Sequence, residues 1–189
     1  MVRAMNKWNS AVRWMRWIPA GLVLCASAPA TPPQSNDKPE KPELRQFDFW
    51  VGTWDVYSPS GQKVGTNRIE KLERGYLLLE NWASVGNSTG KSMNYYDASE
   101  KKWKQLWVDA GGDIIKTAGR FERGAMRLRG EHIFKTGKKR PFKLTFTPNA
   151  DGSVRQLCEE STDGGKTFKT WFDGKYVRAA KKHGDKSKP

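Results

Sequence analysis

Turn chemistry recurs along this chain every ten to fifteen residues, and nothing else in the sequence constrains its fold as tightly. Pro59-Ser60-Gly61, Glu73-Arg74-Gly75 and the run GNSTG at 86–90 open the series. Ala110-Gly111-Gly112-Asp113, Glu122-Arg123-Gly124, Thr136-Gly137-Lys138, Asn149-Ala150-Asp151-Gly152 and Asp163-Gly164-Gly165 continue it. Gly and Asn supply the positive φ values that tight hairpin turns need. The segments between turns are short and read as strands rather than helices, which points to a meander closing as a sandwich or barrel.

Side-chain alternation supports the strands. Phe142, Leu144 and Phe146 fall on one face, with Lys143, Thr145 and Thr147 on the other. Met126, Leu128, Gly130, His132 and Phe134 oppose Arg127, Arg129 and Glu131. Before the first strand, residues 44–50 suit one short helical turn. The prediction is an all-β, up-and-down barrel of eight to ten strands, with that turn capping one end.

Residues 1–30 read as an export leader. Arg3, Lys7, Arg13 and Arg16 form a basic start without an acid, residues 17–30 are uncharged, and Ala28-Pro29-Ala30 is a small-x-small cleavage pattern before Thr31. The uncharged run of 14 residues is shorter than the roughly 20 that span a bilayer, so no stable membrane span is expected. Met15 would also open a compact leader. Lipidation at Cys25 is disfavoured by Leu24, because a lipobox wants a small residue there. The expected address is periplasmic or secreted, after signal cleavage. Residues 31–43 (TPPQSNDKPEKPE) then read as a Pro-rich linker, 44–178 as the barrel, and 179–189 as a basic disordered tail.

Charge narrows the partners. The chain carries +14; the four cations of the leader leave +10, of which residues 178–189 hold +4. The remainder is spread over hairpins with no nucleic-acid module in view, so nucleic-acid binding is not expected. The residues set no oligomeric state.

Reactive groups are sparse. After the leader Cys158 stands alone and reads as a buried apolar thiol. His132 lies on a strand and His183 in the tail, so no metal cluster can assemble, and no cofactor is expected. A haem barrel would want a His near the last strands, where none occurs. Glu159 and Glu160 are adjacent on a strand and point to opposite faces, so they cannot share one proton; for the inward one, an acid pair with Glu80 is one reading and a buried structural acid the preferred one. Residues 161–168 (STDGGKTF) fit an Asp-box, a hairpin whose Asp accepts backbone N–H groups.

A different mixture marks the candidate interior. Tyr76, Glu80 and Trp82 share a face, as do Trp103, Gln105 and Trp107, and Gln156 shares one with Cys158 and Glu160. A barrel filled for stability alone favours aliphatics, whereas wide aromatics with a few hydrogen-bonding groups suit a small amphipathic ligand. Glu80, Trp82, Trp103, Gln105, Trp107 and Gln156 are therefore the candidate ligand-binding residues, and a small apolar or aromatic molecule the candidate partner.

Gly52-Thr53-Trp54 has the Gly-x-Trp form of the first strand of lipocalin-like barrels. That resemblance implies that Gly52, Trp54 and Arg178 close the barrel, the Arg178 guanidinium stacking across the Trp54 ring. The chain also resembles a bacterial family of secreted or periplasmic proteins known only as a domain of unknown function. The likeness rests on Phe47-Asp48-Phe49-Trp50, Asn94-Tyr95-Tyr96-Asp97, residues 103–109 (WKQLWVD), Arg155-Gln156, the Asp-box, and residues 172–176 (FDGKY). It implies a calycin-like barrel and carries no catalytic residue. Three classes stay open: a ligand-binding barrel, an envelope structural or interaction protein with a filled barrel, and an enzyme, for which no catalytic residue is assigned.

Overall fold

The alternating segments form ten antiparallel strands: β1 (Gly52–Tyr57), β2 (Lys63–Leu72), β3 (Leu77–Ser84), β4 (Thr89–Asp97), β5 (Lys102–Asp109), β6 (Ile114–Glu122), β7 (Ala125–Ile133), β8 (Lys139–Pro148), β9 (Val154–Glu160) and β10 (Lys169–Arg178). The computed structural model describes residues 41–180; the leader, most of the linker and the tail from residue 181 lie outside the described residues. Each strand pairs with its neighbours in sequence, and β1 pairs with β10 to close a meander barrel. Closure leaves no free sheet edge, which removes the usual route to edge-to-edge aggregation.

Local chemistry explains the hairpins. Arg123 and Gly124 both adopt positive φ (50° and 74°) between β6 and β7, the pattern whose twist matches two antiparallel strands. At the Asp-box hairpin, the Asp163 carboxylate accepts the Thr167 amide (2.9 Å) and hydroxyl (2.5 Å). Those donors hold the Asp163 carboxyl well below the ordinary carboxylate range. Lys143 lies 3.6 Å from the centroid of the Phe168 ring, which pins the loop to β8. This stretch is a structural turn.

The N-terminal chain plugs one end of the barrel. Two short 3-10 helices, Pro42–Arg45 and Asp48–Trp50, deliver Leu44, Phe47 and Trp50 into the interior, where each is buried. The first helix begins at Pro42, two residues inside the segment read as linker. Phe47 stacks on Trp50 with centroids 5.1 Å apart, and Trp50 lies 4.5 Å from Phe146. Asp48 anchors the second helix through the Lys71 ammonium (2.6 Å).

The closing seam runs through the plug. Trp54 sits opposite Arg178 in the β1–β10 register. Its indole N–H donates to the Trp50 carbonyl (2.8 Å), and the Arg178 guanidinium stands 3.9 Å over its ring. The same guanidinium donates to the Val51 carbonyl (2.6 Å). Gly52, at φ +133°, leaves the space it occupies; any Cβ there would collide with Arg178. The Gly-x-Trp spacing thus has a direct cause: the glycine makes room for the arginine that covers the tryptophan.

Candidate functional site

Above the aromatic plug lies a belt of polar side chains, and above that a second aromatic layer at the opposite mouth. Successive inward positions build the layers. On β3 they are Leu78, Glu80 and Trp82; on β5, Trp103, Gln105 and Trp107; on β9, Val154, Gln156, Cys158 and Glu160. Glu80, Gln105 and Gln156 reach the belt, and Trp82 and Trp107, the next ones out on β3 and β5, reach the mouth.

The belt is a directed hydrogen-bond chain ending on Glu80. The Gln105 amide donates to Asn94 Oδ1 (2.9 Å), Asn94 Nδ2 to Ser92 Oγ (2.7 Å), and the Ser92 hydroxyl to Glu80 Oε2 (2.5 Å). From the other side, Asn67 Nδ2 donates to Glu80 Oε1 (2.7 Å). Asn67 also meets the Tyr176 hydroxyl (3.3 Å), which in turn donates to Gln156 Oε1. Glu80 is 2% exposed, and burial raises its pKa to about 7, against the lowering effect of Ser92 and Asn67. The Cys158 thiol and the Tyr176 phenol beside it are pushed up by burial, and further by Glu80. Cys158 is therefore an inert thiol rather than a nucleophile.

Between belt and mouth lies a cavity of about 100 Å³. Glu80, Gln105 and Gln156 line its depth and Trp82 and Trp107 its walls, so the fold brings together five of the six residues singled out from the sequence. Two glycines make the walls lie flat: Gly65 fits beneath the Trp82 ring and Gly90 beneath the Trp107 ring, where any Cβ would clash. Trp103 does not join them. It shares strand and face with Gln105 and Trp107 but sits at the plugged end, its ring 5.5 Å from Phe47 and 5.8 Å from Tyr96.

Other lining residues lie beyond strand parity. Trp171 and Phe172 both reach the cavity although they are adjacent in sequence, because the β9–β10 register shifts between Thr170 and Phe172. Trp171 is 50% exposed at the rim, and Phe172 meets Trp82 edge-on with centroids 6.0 Å apart. Ser92 and Asn94 carried a legible signal, since Gly90, Ser92 and Asn94 alternate on the inward face of β4.

His132 occupies the same rim. Its Nδ1 lies 2.8 Å from Glu160 and its Nε2 lies 3.5 Å from Asp113, while Arg140 donates to the other Glu160 oxygen. The inward carboxylate of the Glu159-Glu160 pair is Glu160, a buried acid that engages His132 and Arg140 and does not pair with Glu80. The imidazole stacks on Phe134 (4.2 Å) and meets Trp171 edge-on (5.5 Å). Both ring nitrogens are committed to carboxylates, so the histidine braces the aromatic rim. Among the described residues no group of three or more His, Cys, Asp or Glu side chains is placed to hold a metal ion. No helix among them is long and apolar enough to cross a membrane.

In comparison with known proteins, the chain matches no family model and no curated protein. Of what the motif resemblance implies, the architecture stands: a closed, ten-stranded antiparallel barrel.

Proposed function

We propose that this protein is an exported, lipocalin-like barrel that binds a small apolar or aromatic molecule, hydrogen-bonding end first, in the mouth cavity. One observation carries the reading: indole walls from Trp82 and Trp107 stand over Glu80, Gln105 and Gln156 in one cavity. Apolar walls with a few converging polar groups are the general make-up of a small-molecule site. Size limits the occupant. An apolar cavity of about 150 Å³ takes benzene, so a cavity of about 100 Å³ takes the head of such a molecule while the rest emerges beside Trp171.

Tryptophan fluorescence tests this. Benzyl alcohol is expected to quench or shift the emission saturably, and Trp107→Ala to weaken the apparent affinity by about tenfold, the loss of roughly 1.4 kcal/mol of ring contact. A linear, non-saturating response in the wild type contradicts the reading. It would favour a filled barrel serving as a structural or interaction protein of the envelope, which the modest cavity volume also suits.

Export is the other half of the proposal. The leader pattern supports it, as does the resemblance to a secreted or periplasmic bacterial family. The exported protein should begin at Thr31, read by N-terminal sequencing of the periplasmic or secreted fraction. A lipidated start at Cys25, or an uncleaved cytoplasmic product, contradicts it.

A further inference from the structure

We infer that the ligand of the mouth cavity is a small monocation, a protonated amine whose ammonium group pairs with Glu80 and whose body lies between the indole walls. The inference rests on the binding reading above and names the charge of what is bound.

Charge balance is the argument. Glu80 is the one carboxylate lining the cavity, and among the described residues no lysine, arginine or histidine lines it. A buried carboxylate is costly without a counter-charge. The two bonds it accepts, from Ser92 and Asn67, leave free lone pairs, because a carboxylate takes about four hydrogens. The donors from Gln105 through Asn94 to Ser92 run toward Glu80, and Asn67 donates to it from the other side, so this part of the network faces a negative acceptor. The missing partner is therefore a donor cation. The walls suit it as well, since the negative faces of Trp82 and Trp107 attract an ammonium group. An anionic ligand would meet Glu80 with nothing to offset the repulsion. A neutral one would leave Glu80 to be neutralised by a proton instead.

Proton competition follows. Around Glu80 stand Asn67 of β2, Ser92 and Asn94 of β4, Gln105 of β5, Gln156 and Cys158 of β9 and Tyr176 of β10. Only Cys158 and Tyr176 among these titrate, and burial keeps both protonated at neutral pH. The rim charges His132, Glu160, Arg140 and Asp113 are bonded to one another. An amine and a proton thus compete for one carboxylate with a pKa of about 7.

The test compares benzylamine with benzyl alcohol, probes of nearly equal shape, on the leader-free protein by calorimetry at pH 6 and pH 8. Benzylamine should bind roughly tenfold tighter at pH 8 than at pH 6, following the ionised fraction of Glu80, while benzyl alcohol gains nothing. Glu80→Gln should bind the amine no more tightly than the alcohol, and with no pH dependence. A pH effect arising at His132 would survive that substitution, so its survival overturns the inference. So does benzylamine binding no tighter than benzyl alcohol at pH 8 in the wild type, a result that leaves the cavity-binding reading standing. If neither probe binds, that reading falls and this inference falls with it.

Discussion

Replacing Trp54 with alanine is expected to cost about 3–5 kcal/mol of folding stability, in the range for truncating a buried aromatic. The side chain is fully buried, lies 6.3 Å from Tyr176 ring to ring, and is covered by Arg178. It also sits on the weakest seam. The β1–β10 register holds four residue pairs, from Trp54↔Arg178 to Tyr57↔Lys175, whereas β7 and β8 share eight. Loss of the indole takes away the packing that holds this short seam shut, together with the hydrogen bond to Trp50. Arg178→Ala removes the stacking and the bond to Val51, and should cost about 1–2 kcal/mol. Urea denaturation of both variants measures this; midpoints equal to wild type would mean that the seam is held elsewhere.

Glu80→Gln is expected to reshape the pH profile of stability. The folded carboxyl titrates near 7 against an ordinary value of 4.5. Between those values the folded chain holds the proton and the unfolded chain has released it, so raising the pH works against the fold. The contribution is fully favourable below about 4.5 and is lost by about pH 8, a change of about 3 kcal/mol. The glutamine variant cannot titrate there. It should gain on the wild type as pH rises from 5 to 8 and stay level beyond. The lowered carboxyls Asp97, Asp151 and Asp163 act in the opposite sense and only in more acid solution. Parallel wild-type and variant profiles between pH 5 and 8 would show that Glu80 ionises as an ordinary exposed acid.

Strand parity and turn chemistry made most of this barrel legible beforehand. The turns fall where Gly, Asn and Asp cluster, and β8 buries Phe142, Leu144 and Phe146 as its alternation implies. Gly52-x-Trp54 pointed to the closing seam because its physical cause is local: a glycine beside a ring leaves space for one arginine. Parity names a face, however, not a depth. Glu80, Trp82, Gln105, Trp107 and Gln156 share the cavity, but Trp103 lies about 13 Å down the strand from Trp107, at a rise of about 3.3 Å per residue, and belongs to the plug. Trp171 and Phe172 were hidden for a related reason. A bulge breaks the two-residue period, and the sequence does not mark it. Glu160 faced inward as read, but its partners, His132 of β7 and Arg140 of β8, are pairings with no local signature.

Site-resolved NMR of the tryptophan indole N–H groups tests the central claim most directly, because the six tryptophans among the described residues divide between the two ends. Trp82, Trp107 and Trp171 line the mouth cavity, while Trp50, Trp54 and Trp103 belong to the plug. On titration with benzyl alcohol, the Trp82 and Trp107 signals should move saturably with one shared dissociation constant, Trp171 following at the rim. The signals of Trp50, Trp54 and Trp103 should stay in place. Absence of saturable movement at Trp82 and Trp107, or equal movement at both ends, would contradict a ligand site at the mouth.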